Sequence, residues 1–215
     1  MPEFNRRRFL RFSGLATLPF LGNASTALAQ RATAEEKLPE LIKFFGDGEM
    51  FEPTEYLAEL QKLNTRTAIQ KDRYGSGGAV DALEKRMAEI TGKEKAIYMP
   101  SGTMANQLAI SVLSGVQTKV FVQDTSHVYR DEADAAQSVF QKRLYPLASD
   151  ETYFTAATLQ KAIEQLPEQE VFSSGIGAVS IENQVRRTDG RMIPKKKKKK
   201  ISEYCRSKGI KLHLD

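Results

Sequence analysis

The stretch Pro100-Ser101-Gly102-Thr103-Met104-Ala105-Asn106 separates two hydrophobic patterns of different period. The residues before it, Ala96-Ile97-Tyr98-Met99, are few, apolar and typical of a strand. The residues after it carry apolar side chains with helical spacing, at Met104, Leu108, Ala109 and Leu113. The pattern therefore predicts a strand, a turn of small residues and a helix.

A turn of this kind offers a site for an anion. The first N–H groups of a helix have no partner within the helix, and the positive end of the helix dipole lies at the same place. Ser101 and Thr103 add hydroxyl donors, and Gly102 lets the backbone approach a ligand closely. A phosphate group fits these donors. The alternative is an ordinary turn in which a serine or threonine only caps the helix.

The composition is that of a folded, globular protein. The chain has 215 residues, of which 40% are hydrophobic and 27% charged, so it can bury one sizeable core. Its net charge of +5 arises from arginines near the N-terminus and from consecutive lysines at 195–200, and the remainder is mildly acidic. No basic face interleaved with aromatic residues is evident, so no nucleic-acid partner is predicted. No metal site is predicted either. The single cysteine, Cys205, excludes an internal disulfide.

The N-terminus has the pattern of a targeting segment. Asn5-Arg6-Arg7-Arg8-Phe9-Leu10-Arg11 resembles the twin-arginine (Tat) export signal, and a short apolar region and Ala27-Leu28-Ala29 follow in the expected order. Residues 1–29 are therefore predicted to be a Tat signal peptide that delivers the protein to the periplasm or the medium. The apolar region is too short for a stable membrane anchor. The alternative is a basic tail without a targeting role.

Residues 30–75 are predicted to form an N-terminal arm and helices, one of which begins at Pro53. The glycine-rich loop Arg73-Tyr74-Gly75-Ser76-Gly77-Gly78 either acts as a hinge or touches a ligand. An amphipathic helix follows and ends at Gly92, with apolar positions Val80, Leu83, Met87 and Ile90.

Strands and helices alternate over residues 76–215. Strands are predicted at 120–122, 144–147, 178–181 and 211–215, and helices between them at 131–141, 155–166 and 195–207. Strands separated by helices of this length pair in parallel, which predicts a doubly wound α/β domain. Ligands of such sheets bind at the carboxyl ends of the strands.

Four groups of polar residues lie at these carboxyl ends. They are Ser101 with Gly102 and Thr103, then His127, then Glu182 with Asn183, and finally Asp215. Each alone is compatible with a cap, a turn or a solvated loop. Together, a phosphate cup, a flat imidazole and a carboxylate describe a site for a phosphorylated aromatic cation. Pyridoxal 5′-phosphate (PLP) fits this description, because a carboxylate keeps its ring nitrogen protonated.

From Tyr74 to Asp215 the sequence resembles the threonine aldolase family, which is grouped with the aromatic amino acid β-eliminating lyases in the aspartate aminotransferase fold group of PLP enzymes (fold type I). The most specific matches are the run from Ser101 to Gln107 and the terminal Leu212-His213-Leu214-Asp215. Supporting matches are Leu83-Glu84, Gly92-Lys93-Glu94-Lys95-Ala96, Ser126-His127 and Ser180-Ile181-Glu182-Asn183. The resemblance implies a PLP-dependent transferase-like large domain with a mostly parallel sheet.

The resemblance also implies roles for the site residues. Ser101, Gly102 and Thr103 would hold the phosphate, His127 would stack on the ring, and Asp215 would bind the ring nitrogen. Glu182 and Asn183 would lie near the cofactor or substrate. His127 is the only candidate catalytic base on its side of the ring. His213 is expected to pack or to support the site by a hydrogen bond.

The reaction implied is the cleavage of a β-hydroxy amino acid to glycine and an aldehyde. β-Elimination or transamination on the same fold, and a non-catalytic binding protein, remain open alternatives. The family also implies a homodimer or homotetramer. The lysine that holds the cofactor covalently and the arginine that binds the substrate carboxylate are expected beyond Asp215, so the chain as given is expected to be inactive alone and prone to aggregation.

Two departures from the family pattern concern the substrate side and the lysines. Phe45-Gly46-Asp47-Gly48 and Arg73-Tyr74-Gly75-Ser76 occupy regions where the family carries other substrate-contacting segments. The lysines at 195–200 cannot supply a buried stripe, so they are interpreted as a solvated helix edge or a placeholder in the sequence, with an anionic partner as the alternative.

Overall fold

The computed structural model of the protein describes residues 51–215. The predicted signal peptide and most of the predicted N-terminal arm lie outside the described residues. The chain divides into two compact units, Met1–Ala68 and Ile69–Asp215. The described part of the first unit contains helix α1, Pro53–Arg66, which begins with the predicted proline. Glu52 and Glu55 form a capping box at its start, which satisfies two backbone N–H groups.

The second unit is built on a parallel sheet of four strands. They are β1 (Lys119–Gln123), β2 (Arg143–Leu147), β3 (Ile176–Ile181) and β4 (Lys211–Leu214). The spatial order is β2-β1-β3-β4, and each neighbouring pair is parallel. The parallel α/β prediction is therefore confirmed, and the carboxyl ends of β1, β3 and β4 lie side by side.

Seven α-helices are described in residues 51–215. After α1 come α2 (Gly78–Thr91), α3 (Gly102–Ser114), α4 (His127–Arg130), α5 (Ala135–Phe140), α6 (Ala156–Gln169) and α7 (Lys195–Ser207). A short 3₁₀ turn, Arg186–Thr188, follows β3.

The sheet buries a different cluster on each face, because successive side chains of a strand point to opposite sides. Phe121 of β1 packs in one cluster with residues of α6 and α7. Val120 and Val122 pack in the other with Ile110 of α3 and Ala136 of α5. All of these side chains except Ala136, which is 1% exposed, have no exposed surface. This packing fixes α3 beside the strands.

One predicted element is wrong, and another is shorter than predicted. Residues 96–99 form no strand: Ile97 and Tyr98 are exposed, and the Tyr98 N–H donates to the Glu84 carboxylate at 2.8 Å instead of to a neighbouring strand. A strand requires a partner for its backbone groups, and residues 51–215 provide none at this place. The helix predicted at 131–141 is also shorter, since α5 spans only Ala135–Phe140 and α4 already begins at His127.

Within residues 51–215 the remaining predicted helices and strands are confirmed, with shifts of a few residues at their ends. Gly92 ends α2 with φ of 62° and donates its N–H to the last turn, as expected of a glycine C-cap. The lysines at 195–200 form the first turns of α7 and are mostly exposed, while Ile201 and Cys205 of the same helix are buried. Within residues 51–215 no helix combines the length and apolar character needed to cross a membrane.

Candidate active site

The carboxyl ends of the strands are tied together by Glu182, which follows β3. Its side chain is buried, and both carboxylate oxygens accept hydrogen bonds from backbone N–H groups. One N–H belongs to His127, at 2.6 Å, and the other to Arg186, at 2.7 Å. Glu182 therefore fastens the first residue of α4 to the loop after β3. It lies beside the expected site, and its role toward a ligand stays a prediction.

Gln123, the last residue of β1, joins β1 to β3. It is fully buried, and its Oε1 accepts a hydrogen bond from the Glu182 backbone N–H at 2.5 Å. Its Nε2 donates to the Glu182 carbonyl at 3.3 Å and to the Thr152 carbonyl at 3.1 Å. The amide thus holds the two strand ends in a fixed relation where the site begins.

His127 is connected through Glu132 to α3, the helix that begins within the Pro100–Asn106 motif. The His127 Nδ1 lies 2.9 Å from Glu132 Oε1, and the Asn106 Nδ2 donates to the same oxygen at 2.8 Å. The side chain of Glu132 is 1% exposed, whereas that of His127 is 28% exposed. The imidazole is therefore fixed on one side by a buried carboxylate and open on another.

Asp215 reaches the same place from β4. Its N–H donates to the Ile181 carbonyl and its carbonyl accepts from the Asn183 N–H, both at 2.9 Å, so the pairing with β3 continues to the last residue. One ligand-type atom each of His127, Glu132 and Asp215 lies within 4.8 Å of the others. Such a set could also bind a cation, but the first two side chains already bond each other.

The Asn183 side chain supports the loop that follows β3. Its Oδ1 accepts a hydrogen bond from the Ile193 N–H at 2.9 Å, and Ile193 is 1% exposed. The side chain therefore organises the chain between β3 and α7. A contact between Asn183 and a ligand stays a prediction.

The Pro100–Asn106 motif forms the start of α3. Ser101 is its N-cap and accepts a hydrogen bond from the Met104 N–H at 3.2 Å, as the capping interpretation predicts. Within residues 51–215 the N–H groups of Gly102 and Thr103 have no hydrogen-bond partner, and a Cβ added at Gly102 meets no atom within 4 Å. Capping and anion binding are therefore compatible, because the Ser101 hydroxyl hydrogen and two N–H groups remain available.

The phosphate cup, Ser101 to Thr103, begins the helix that also contacts the partner of the histidine. Asn106 follows Gly102 by four residues, a rise of about 6 Å along a helix. Asn106 and His127 bond the same Glu132 oxygen, so α3 is joined to the imidazole through one carboxylate.

Several buried polar atoms at this edge lack partners among the described residues. They are Thr125 Oγ1, Ser126 Oγ and Glu132 Oε2. An unpartnered buried oxygen is costly, so native structures usually satisfy it with water or a ligand. Thr125 and Ser126 lie just after β1, and Glu132 follows α4, so the unpartnered atoms indicate a place for a polar ligand at this edge of the sheet.

His213 has the supporting position that was expected of it. Its Nδ1 lies 2.9 Å from the Ser180 hydroxyl across the β3–β4 pair. Burial lowers the pKa of His213, since desolvation penalises the charged imidazole. A neutral, hydrogen-bonded imidazole of this kind packs between strands.

Sequence reasoning missed two residues of the site, Glu132 and Gln123. Both are buried polar side chains, and a single sequence does not reveal burial. The available signal for Glu132 was its position five residues after His127, with which it forms a hydrogen bond. The role of Asn106 was also missed, although Asn106 lies within the Pro100–Asn106 motif.

Comparison with known proteins identifies the fold. A crystal structure of a candidate L-allo-threonine aldolase from Listeria monocytogenes superposes with a TM-score of 0.66 and 28% identity, covering 78% of this chain and 44% of that one. A variant of serine palmitoyltransferase from S. paucimobilis, solved with a bound PLP–myriocin aldimine, superposes with a TM-score of 0.53 at 18% identity, covering 78% of this chain and 40% of that one. The second likeness concerns the fold alone. The protein is thus an α/β domain of the class formed by fold-type I PLP enzymes.

The sequence profile of the beta-eliminating lyase family matches residues 53–215, and the chain belongs to this family. It is 31% identical over 135 residues to the low-specificity L-threonine aldolase of Candida albicans, covering 62% of this chain and 35% of that protein. It is 29% identical over 149 residues to the low specificity L-threonine aldolase of Escherichia coli K12, covering 68% of this chain and 43% of that protein. The chain therefore spans less than half the length of these relatives.

Proposed function

We propose that the protein is a PLP-dependent aldehyde-lyase of the threonine aldolase type, which cleaves a β-hydroxy amino acid to glycine and an aldehyde. The observation that carries the proposal is the meeting of His127, Glu132 and Asp215 within 4.8 Å at the sheet edge, together with the free N–H groups at the start of α3, whose Asn106 bonds Glu132. The similarity to threonine aldolases supports the choice of reaction.

The residues present fit PLP. Ser101, Gly102 and Thr103 would hold its phosphate with backbone and hydroxyl donors. Asp215, which is exposed at the strand end, would hold the ring nitrogen, and His127 would lie against the ring. When bound, PLP supplies an electron sink for the bond that breaks at the substrate Cα.

The protein side of the reaction centres on His127. Its imidazole is partly exposed and therefore accessible to a substrate, while the Glu182 carboxylate fixes its backbone and Glu132 fixes its ring. A histidine held this way can orient the substrate β-hydroxyl and take its proton.

The complete gene product provides the test. Purified protein is expected to show the visible absorbance of lysine-bound PLP, which borohydride abolishes, and to release an aldehyde and glycine from threonine. Release of ammonia or of a keto acid would instead indicate β-elimination or transamination. A folded, colourless protein that cannot be reconstituted with PLP would contradict every PLP-dependent reaction.

A matched pair of variants links the cofactor to the site. Asp215→Asn removes the charge proposed to hold the ring nitrogen, and we expect PLP to bind more weakly and turnover to be lost. Asp150→Asn changes an exposed turn aspartate with φ of 64°, a conformation that asparagine also tolerates, and should leave both unchanged. Equal PLP affinity in both variants would contradict the assignment of Asp215.

We also propose that residues 1–29 direct export through the Tat machinery and that the complete enzyme is a homodimer or homotetramer. The Asn5–Arg11 pattern supports the first proposal, and family membership supports the second. Fusion of residues 1–29 to a reporter should lead to export that replacement of Arg6 and Arg7 by lysine abolishes. Light scattering of the complete protein measures the assembly, and a monomer would contradict the second proposal.

A further inference from the structure

We propose that Glu132 is the positioning residue of the catalytic histidine: its buried carboxylate holds the His127 imidazole with the proton on Nδ1 and leaves Nε2 free to accept the substrate proton. The catalytic part of this inference rests on the proposed function, whereas the position of the ring proton does not.

The hydrogen bond between the two side chains is the basis for placing the proton. A carboxylate has no hydrogen to donate, so we infer that the imidazole donates from Nδ1 in the 2.9 Å contact between His127 Nδ1 and Glu132 Oε1. A neutral imidazole carries one N–H, and with that hydrogen on Nδ1 the other nitrogen presents a lone pair. Nε2 is therefore the atom that can accept a proton.

The carboxylate is held firmly enough to direct the ring. The Glu132 side chain is 1% exposed. Asn106, which belongs to α3, donates from Nδ2 to the same Oε1, with 2.8 Å between the two atoms. The backbone of His127 is anchored separately by Glu182 at 2.6 Å. The backbone of His127 is thus held by Glu182, which follows β3. Its ring is held at Nδ1 by Glu132, which Asn106 of α3 fixes in place. These two contacts restrict rotation of the ring.

The step it supports is a single proton transfer. The O–H bond of the substrate β-hydroxyl breaks and an N–H bond forms at Nε2, while the electron pair of the O–H bond stays with oxygen, which becomes the aldehyde carbonyl. The Cα–Cβ bond then breaks, its electron pair stays with Cα, and Cα takes up a proton to give glycine. The imidazolium then carries a positive charge next to the Glu132 carboxylate, and the attraction between the two opposite charges stabilises it.

The Glu132 Oε2 atom adds to this picture, because it is buried without a partner in the described part of the chain. A residue that served only to fill the core would not retain an unpartnered charged oxygen there. Burying the Glu132 carboxylate costs free energy, and its interaction with the His127 imidazole offsets this cost.

Two variants of Glu132 separate the orienting and the charge effects. Glu132→Gln keeps an oxygen that can accept from Nδ1–H but removes the charge; Glu132→Ala removes both. In the complete protein labelled with ¹⁵N-histidine, we expect the Nδ1–H form of His127 in the wild type and in Glu132→Gln, and loss of its dominance in Glu132→Ala. We expect kcat for threonine cleavage to fall about 10-fold in Glu132→Gln and about 100-fold in Glu132→Ala, with KM nearly unchanged.

Glu170→Gln is the matched control. Glu170 is also a largely buried carboxylate with two partners, Lys119 and Arg143, but those partners lie at the opposite end of the strands. It should lower stability without changing the ¹⁵N spectrum of His127 or the kcat of the folded protein. If Glu132→Ala does not fold, the 10-fold loss of kcat with an unchanged tautomer in Glu132→Gln still tests the proposal.

Three outcomes are decisive. An Nε2–H form of His127 in the wild type, or an unchanged kcat in a folded Glu132→Gln, would overturn the positioning role. The tautomer of His127 could change between the variants as expected while the wild type neither binds PLP nor cleaves threonine. That result would support the orientation of the ring and contradict the proposed function. The two failures are therefore distinguishable.

Discussion

The charged side chains buried at the two ends of β1 differ in how fully the described residues satisfy them. At the amino end Lys119 is fully buried, and its ammonium group donates to Glu170 at 2.8 Å and to Ser174 at 3.1 Å. At the carboxyl end Glu132 leaves one carboxylate oxygen unpartnered among the described residues, as do the hydroxyls of Thr125 and Ser126.

This difference separates stability from function within one sheet. A buried charge whose donors are satisfied by the protein holds elements together and has little capacity left for a ligand. Unpartnered oxygens and free N–H groups cost stability in exchange for the ability to bind. Substitutions at the amino end should therefore change the free energy of unfolding, whereas substitutions at the carboxyl end should change kcat or PLP binding.

The largest effect is expected from His127→Phe in the complete protein. It keeps an aromatic ring but removes the proposed base, so we expect kcat to fall by a factor of about 100 to 10,000. His213→Phe is the comparison at the same edge and should leave kcat of the folded protein within a few fold, because His213 bonds Ser180 between strands. Similar losses of kcat in both variants would remove the distinction between the two histidines.

At the amino end, Glu170→Ala should lower the free energy of unfolding by about 3 kcal/mol, because it leaves the Lys119 ammonium buried without its charged partner. Urea unfolding measures the change, and kcat of the folded fraction should be unaffected. Glu168→Ala, at an exposed position of α6, which ends just before Glu170, should change stability by less than about 0.5 kcal/mol. A loss of kcat in folded Glu170→Ala would contradict the separation of the two ends.

A smaller effect distinguishes two helix N-caps. Ser101 and Thr155 each accept a hydrogen bond from the backbone N–H three residues on, at 3.2 and 3.1 Å. Alanine at either position should therefore cost about 1 kcal/mol of stability. Only Ser101→Ala should also weaken PLP binding, measured by titration of the visible absorbance, and equal affinity in both variants would contradict the phosphate cup.

The smallest effect concerns the exposed rim of the site. A hydrogen bond from Arg187 lowers the pKa of Asp131, so the pair stabilises the fold above the ordinary aspartate pKa of about 3.9, and its contribution disappears as pH falls through the lowered value. Arg187→Gln should therefore be less stable than wild type at pH 7 and equal to it in strong acid. Arg191→Gln, a nearby exposed change, should show no such pH dependence.

Much of the fold could be predicted from local patterns. The alternation of apolar strands with amphipathic segments predicted the parallel sheet, and Ser101, His127 and Asp215 were placed at its carboxyl edge. The strand at 96–99 was wrong because hydrophobicity does not report whether a partner strand is present. Gln123 and Glu132 were missed because their polarity alone is typical of surface residues, and only burial reveals their function.

The sequence by itself determined the order of strands and helices, the cap at Ser101 and the residue types that point to a phosphorylated aromatic cofactor, since these depend on local periodicity and on side-chain chemistry. Only the tertiary structure decided that Asn106, Glu132 and His127 form one hydrogen-bonded chain and that Glu182 is committed to backbone N–H groups. Such contacts join residues distant in sequence, and the packing of α3 and α4 on the sheet sets their distances.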